Sequence, residues 1–228
     1  MKPSVIVTGA NGNLGKSVVQ KLNDSGYHII AGVGSSGADF KGIDAEAIPV
    51  DLTEAAASQK FVQQATSGKS PVKAAVLLVG GFAMGNIEQT DVAAIRKMVS
   101  LNFETAYNIV QPLFSYFAMQ KDGGQIILIG ARPALNADAG KDMVAYALSK
   151  SLVFKLSEII NEAGKGKNIT STVIVPSTID TPANRQSMPD ADFTKWVSPG
   201  AIADTVVFLL SDSGRQMREG VVKMYNNS

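Results

Sequence analysis

The sequence predicts a doubly wound parallel α/β sheet, read as a single domain over residues 1–228. Three observations carry that prediction. Short β-branched runs alternate with stretches of helical character from end to end, and several runs are continuously apolar, as strands covered on both faces are. Glycines stand where the intervening helices should stop. Hydrophobic residues make up 45% of the 228 and charged residues 18%. The charged share is below the roughly 25% of an average soluble domain, so much of the chain is expected to be buried. No repeat, charge block or Pro/Ser-rich linker divides it.

In order, strands are expected at 4–8, 28–33, 47–50, 74–79, 125–129, 169–175 and 221–224, and helices at 14–25, 54–66, 91–119, 143–163 and 201–210. Gly26, Gly68, Gly123–Gly124 and Gly164–Gly166 mark helix ends. The 143–163 helix is broadly apolar. Val144, Ala145, Leu148, Leu152 and Ile159 cover one side at helical spacing, while Val153 and Phe154 turn away. Either it packs between neighbours of its own domain, or it makes a two-fold contact between subunits of a homodimer or homotetramer.

Composition removes several function classes. The chain has no Cys, so no disulfide framework, thiol nucleophile or Cys-based zinc site is available. Its one histidine, His28, excludes a multi-His metal site and stands at the start of a strand, where a structural role is favoured. No metal site is expected. The pairs Asp138/Asp142 and Asp190/Asp192 read as solvated loop acids. Twenty-one basic and 20 acidic residues, for a formal charge of +1, argue against nucleic-acid binding. Met1 to Val7 lacks the apolar core of a secretory signal, and the stretch 74–85 is too short to span a bilayer. A cytoplasmic protein acting on a small molecule, with neither membrane nor nucleic acid as partner, is the expectation.

The first strand runs into Thr8-Gly9-Ala10-Asn11-Gly12-Asn13-Leu14-Gly15, where a helix starts. Glycines at 9, 12 and 15 permit a tight turn, close backbone approach to a pyrophosphate and close helix–strand packing. The helix N-terminus offers free N–H groups to phosphate. In this strand-to-helix context Gly9, Asn11, Gly12, Asn13, Leu14 and Gly15 are the expected dinucleotide contacts. A carboxylate about 20 residues further on would select NAD. Residues 30–36 carry none, and Asp39 lies too far along; Ser35, Ser36 and Lys16 could serve a 2′-phosphate, a lean to NADP over NAD. Asp51, in Val50-Asp51-Leu52-Thr53, follows the third strand at the ligand edge and is expected, with Leu52, at the adenine. Capping the next helix is its alternative role, which Thr53 could fill.

Tyr146-Ala147-Leu148-Ser149-Lys150 places a phenol and an ammonium on one helix face. A nearby Lys⁺ lowers a phenol's pKa, which favours proton transfer at neutral pH.

With Asn102 and Pro176-x-x-x-x-Thr181, these motifs resemble the short-chain dehydrogenase/reductase family over nearly the whole chain. The resemblance implies a Rossmann-type sheet, commonly of seven strands, and hydride transfer from NAD(P)H. By that resemblance Tyr146 is the acid/base, and Lys150 holds the nicotinamide ribose and depresses the tyrosine pKa. Asn102 anchors a water beside the lysine. Gly80, Gly81, Pro176, Ile179 and Thr181 line the cofactor.

The chain departs from the family where it becomes specific. The serine that precedes the family's tyrosine is absent, since 130–145 holds no Ser or Thr and only Arg132 or Asn136 could donate in its place. Such a donor is typically worth about 2.7–4 kcal/mol, so an ordinary ketone reductase should not lack it. The turn after strand four reads Gly80-Gly81-Phe82. Dihydropteridine reductases, one branch of the family, share both departures, and residues 178–196 resemble their substrate-side loop. They usually carry an Asp at the end of strand two and lack the Asn at 102, unlike this chain. The resemblance implies hydride transfer to a quinonoid dihydropterin, with Phe82 stacking on the substrate. Arg132 is a candidate substrate contact through its donors, and Trp196, in the substrate-side segment, either packs a lid or is buried in the core. A lid around 177–200 is expected, such that removing 183–196 cripples turnover and spares cofactor affinity. The alternatives are a carbonyl or 3-oxoacyl reductase and a non-catalytic NADP(H)-binding sensor.

Overall fold

The structure, a computed structural model, describes residues 2–35 and 37–227, so Ser36 lies outside the described residues. The strands are β1 (Ser4–Thr8), β2 (His28–Val33), β3 (Ala45–Pro49), β4 (Val72–Leu77), β5 (Gly124–Ile129), β6 (Ile169–Pro176) and β7 (Val221–Met224). The helices are α1 (Asn13–Asp24), α2 (Ala55–Thr66), α3 (Val92–Val99), α4 (Thr105–Met119), α5 (Ala137–Gly140), α6 (Val144–Ala163), α7 (Pro182–Ser187) and α8 (Pro199–Leu210).

The seven strands form one sheet in the order β3-β2-β1-β4-β5-β6-β7. Every neighbouring pair is parallel. This is the doubly wound Rossmann-type arrangement, and its strand order reverses between β1 and β4. Alternation along β1 sends Ile6 to one core and Val5 and Val7 to the other. The Ile6 core is closed by Phe61 of α2, Ile109, Leu113 and Phe117 of α4, and Val153, Leu156 and Ile160 of α6. The opposite core is closed by Val18, Val19 and Leu22 of α1 and Ile202, Val206 and Leu209 of α8. Each such side chain contributes about 1.5–3 kcal/mol by leaving water, which is what holds helices to both faces.

Several expected boundaries move, for identifiable reasons. β4 leaves the ladder at Leu77, and the Leu78 amide turns to Thr8 Oγ1 at 3.2 Å, so the apolar run 74–79 overstates the strand. β3 begins earlier and ends at Pro49, not Val50. The single helix expected over 91–119 is divided by a π-helical segment, Ser100–Glu104, and α4 carries Pro112 within it. α8 starts at Pro199 because Ser198 Oγ caps Ala201 N at 3.1 Å and proline suits a first helical position. The short α5 and α7 were not expected. Their cap signals are Asn136 and Thr181, each accepting from the amide three residues on.

In α6 the broad apolar stripe divides between the sheet and the open surface. Its sheet face is Val153, Leu156 and Ile160 together with Ser149 and Lys150, whereas Leu148, Leu152 and Ile159 are exposed by 49%, 38% and 58%. Among the described residues no helix is long and apolar enough to cross a membrane. His28 sits at the edge away from the strand C-termini and binds Asp44 Oδ1 at 2.8 Å, with Lys2 on the same carboxylate.

Candidate active site

The turn after β1 is shaped for a close approach. Gly9 has φ +66°, and a Cβ on Gly15 would stand 2.1 Å from Gly9 O, so neither position admits a side chain without moving backbone. α1 starts on Gly12 with no side-chain cap, which leaves the first-turn N–H groups of Asn13, Leu14 and Gly15 open to an anion. Asn11 Nδ2 reaches Gly37 O at 3.4 Å and ties this turn to the loop after β2.

Beside it lies a cleft of about 520 Å³ over the C-terminal ends of β1, β2 and β3, lined by Gly9, Asn11, Ser35, Asp51 and Leu52. Asp51 Oδ1 accepts from Thr53 N at 3.0 Å and Thr53 Oγ1 at 2.6 Å, and these bonds hold the carboxyl below its ordinary range. It therefore braces its own loop; the residue before α2 is Glu54, so the capping alternative does not apply. Leu52 is buried, and its carbonyl accepts from Asn108 Nδ2 at 2.9 Å. The loop after β2 offers Gly34 and Ser35, with Ser35 exposed, while Asp39 pairs with Lys41 at 3.7 Å. The residues present fit a dinucleotide: a side-chain-free turn for phosphates, uncapped amides, and an apolar-floored cleft for the base. Sequence reasoning missed Val79, Leu101 and Thr105, which line the same cleft. Leu101 and Thr105 flank Asn102 across the π-helical segment, a register that helical periodicity does not reveal.

Tyr146 and Lys150 come from the first turns of α6. Lys150 is buried, its Nζ donates to Ile129 O at 2.8 Å, and it has no ion pair among the described residues. Burial without a counter-ion lowers its pKa to about 8. The Tyr146 hydroxyl is pushed up to about 12, also by burial. Both shifts come from burial, and the ammonium is directed at the β5 carbonyl. A phenol in that range holds its proton at neutral pH and can donate it.

Asn102 belongs to the π-helical segment and is buried. Its Oδ1 accepts from Gly81 N at 2.9 Å, and its Nδ2 donates to Gly81 O at 3.1 Å and Ser149 Oγ at 3.0 Å. Both amide hydrogens are thereby used, so only the second lone pair of Oδ1 could meet a water. Both backbone groups of Gly81 are likewise committed to Asn102. A Cβ at Gly80 would fall 2.5 Å from Asn102 Oδ1 and 3.3 Å from Lys150 Nζ, which explains glycine in that turn.

On the open side, the Phe82 ring stands edge-on to Tyr146, with centroids 5.1 Å apart and planes at 72°, and remains 59% exposed. The Arg132 guanidinium lies over the Tyr225 ring at 5.0 Å, and Asn136 Oδ1 caps α5. Pro176 ends β6. Ile179 bridges to Val197, and its carbonyl accepts from Asn184 Nδ2 at 2.8 Å. Thr181 caps α7, where Asp180 holds Arg185 through bonds of 2.6 and 2.8 Å. Trp196 is 9% exposed and packs on Phe193 at 4.8 Å, so its indole builds the 193–196 turn.

A family model described as short chain dehydrogenase matches residues 3–192. The chain is 26% identical over 212 residues to a dihydropteridine reductase of Dictyostelium discoideum, covering 90% of this chain and 86% of the relative. It is 24% identical over 229 residues to a 3-oxoacyl-(acyl-carrier-protein) reductase of Mycobacterium bovis, covering 96% and 90%. The solved structure of ElxO with NADP bound superposes with a TM-score of 0.88 at 16% identity, covering 98% of this chain and 97% of that one. The chain belongs to the short chain dehydrogenase family and is a nicotinamide-dependent oxidoreductase.

Proposed function

We propose that the chain reduces a flat, conjugated substrate of the dihydropterin kind, with Tyr146 as proton donor and NADPH as the preferred cofactor. The observation that carries this reading is the Phe82–Tyr146 pair, an exposed aromatic ring set 5.1 Å from a protonated phenol. A stacked conjugated ring would lie within reach of that hydroxyl. NADPH supplies the hydride when bound. Lys150 keeps a buried cation beside the Gly80 turn, suited to ribose hydroxyls, and Asn102 holds that turn in place. The Ser/Thr-free stretch 130–145 fits a substrate that needs a proton more than a polarised carbonyl. The likeness to a dihydropteridine reductase supports the same substrate class. The preference for NADPH rests on the absence of a carboxylate at Gly34 and Ser35 and on the exposed Lys16.

The 3-oxoacyl reductase reading has the Mycobacterium relative in its favour, and it needs a carbonyl donor. Arg132, seated over the Tyr225 ring, is the donor it would rely on. Oxidation of NADPH and NADH with dihydropterin, in the parent and in Tyr146→Phe, separates the readings. Turnover that is lost in Tyr146→Phe is expected. Turnover of a 3-oxoacyl thioester alone would favour the second reading. Tight cofactor binding with no turnover of either would mark a sensor. The proposed assembly is a homodimer or homotetramer that uses the exposed apolar face of α6.

A further inference from the structure

Residues that follow β7 return across the edge of the sheet where the site lies. Ser177 N donates to Met224 O at 2.9 Å and Ser177 Oγ to Tyr225 O at 3.1 Å, which seats 224–225 beside the end of β6. The next two side chains reach in different directions. The Tyr225 ring supports the Arg132 guanidinium at 5.0 Å. Asn226, with φ +51°, donates Nδ2 to Thr194 O at 2.9 Å and to Trp196 O at 3.1 Å. One dipeptide is thus joined to the loops after β5, β6 and α7. The segment that carries α7 is already stapled to itself. Asp180 holds Arg185, Arg185 lies 4.7 Å over Phe193, and Asp180 N donates to Val197 O at 2.8 Å. Those contacts make it stiff, and the Asn226 bonds fix where the stiff piece sits relative to β7.

We propose that Tyr225 and Asn226 are positioning residues for the substrate: Asn226 fastens the 193–196 turn, and Tyr225 holds Arg132 in place. A guanidinium held on a ring face keeps its in-plane N–H donors for an electronegative atom of the substrate. The part concerning turnover rests on the proposed reductase reading, whereas the tether of the 193–196 turn stands apart from it.

The chain has one tryptophan, so Trp196 fluorescence reports that turn directly. Asn226→Gly tolerates the left-handed backbone and removes the donor. Acrylamide quenching of Trp196 in the NADPH-bound protein should rise about twofold in this variant, as a locally opened segment exposes its indole. KM for dihydropterin should rise about tenfold with kcat within about twofold, the pattern of lost uniform binding. Tyr225→Leu should raise KM in the same way, and Tyr225→Phe should restore it because the ring is kept. If Asn226→Gly fails to fold, Asn226→Asp keeps the shape and removes the same donor. Unchanged quenching in a folded variant overturns the tether, and unchanged KM overturns the positioning role. Should the parent not turn over dihydropterin at all, the substrate reading fails, while the quenching result still decides the tether.

Discussion

Lys150 carries a cost that its position explains. A buried ammonium with one carbonyl partner and a pKa lowered to about 8 is destabilising at neutral pH, because the unfolded chain holds the same charge in water. Between about 8 and the ordinary 10.5 the unfolded state binds more protons than the folded one, so stability rises with pH through that window. The whole effect is about 3 kcal/mol, fully present as a penalty below pH 8. Lys150→Met should therefore stabilise the apo protein at pH 7 by about 2 kcal/mol, after about 1 kcal/mol for the lost bond to Ile129 O. It should also flatten the stability profile between pH 8 and 10.5. Urea denaturation across that range measures both, and a variant less stable than the parent would refute the penalty. Tyr146 acts in a different window. Its raised pKa adds stability that is complete below 10 and lost as pH climbs toward 12.

At the scale of elements, the π-helical segment matters most. One extra residue per turn at Ser100–Glu104 directs Asn102 to the Gly80–Gly81 turn and to α6, so three elements meet on a single amide. Asn102→Ala would leave the part-buried Gly81 N and Gly81 O without their partner, while Ser149 Oγ keeps its bond to Tyr146 O. We expect a loss of about 2–4 kcal/mol in stability and weaker cofactor binding, measured by thermal melts with and without NADPH. A loss confined to activity, with the melting temperature unchanged, would mean the clasp is dispensable for the fold. The glycine turn, the seven strands and the Tyr146/Lys150 spacing were legible because each follows from local period or local sterics. The division of helix 91–119 was not, since π-helical and α-helical residues share the same apolar pattern. The face that α6 turns to the sheet was left open by the sequence. Polar Ser149 and Lys150 lie buried because each finds a partner, Asn102 and Ile129 O, while Leu148 and Leu152 face out, so hydrophobicity alone could not choose between the two sides.

Across the whole molecule, the parallel sheet gathers the C-terminal ends of its strands at one edge, and the loops that follow β1 to β6 meet there with Asn102 of the π-helical segment and with Tyr146 and Lys150 of α6. The opposite requirement falls on the helices, which must cover both faces, and α6 has more apolar surface than the sheet can use. Leu148, Leu152 and Ile159 lie on the turns that carry Tyr146 and Lys150 or continue from them, so a partner seated there would also stiffen the site. The proposed assembly predicts that Leu152→Glu together with Ile159→Glu leaves the fold intact, because both side chains are exposed in one chain. The same pair of carboxylates would face each other across a two-fold contact and break it. Sedimentation of the parent should give a multiple of 23.9 kDa and the double variant a single mass of 23.9 kDa. Dissociation with a drop in turnover would tie the interface to the site. A parent that already sediments at 23.9 kDa would remove the assembly and leave these three side chains as ordinary exposed apolar surface.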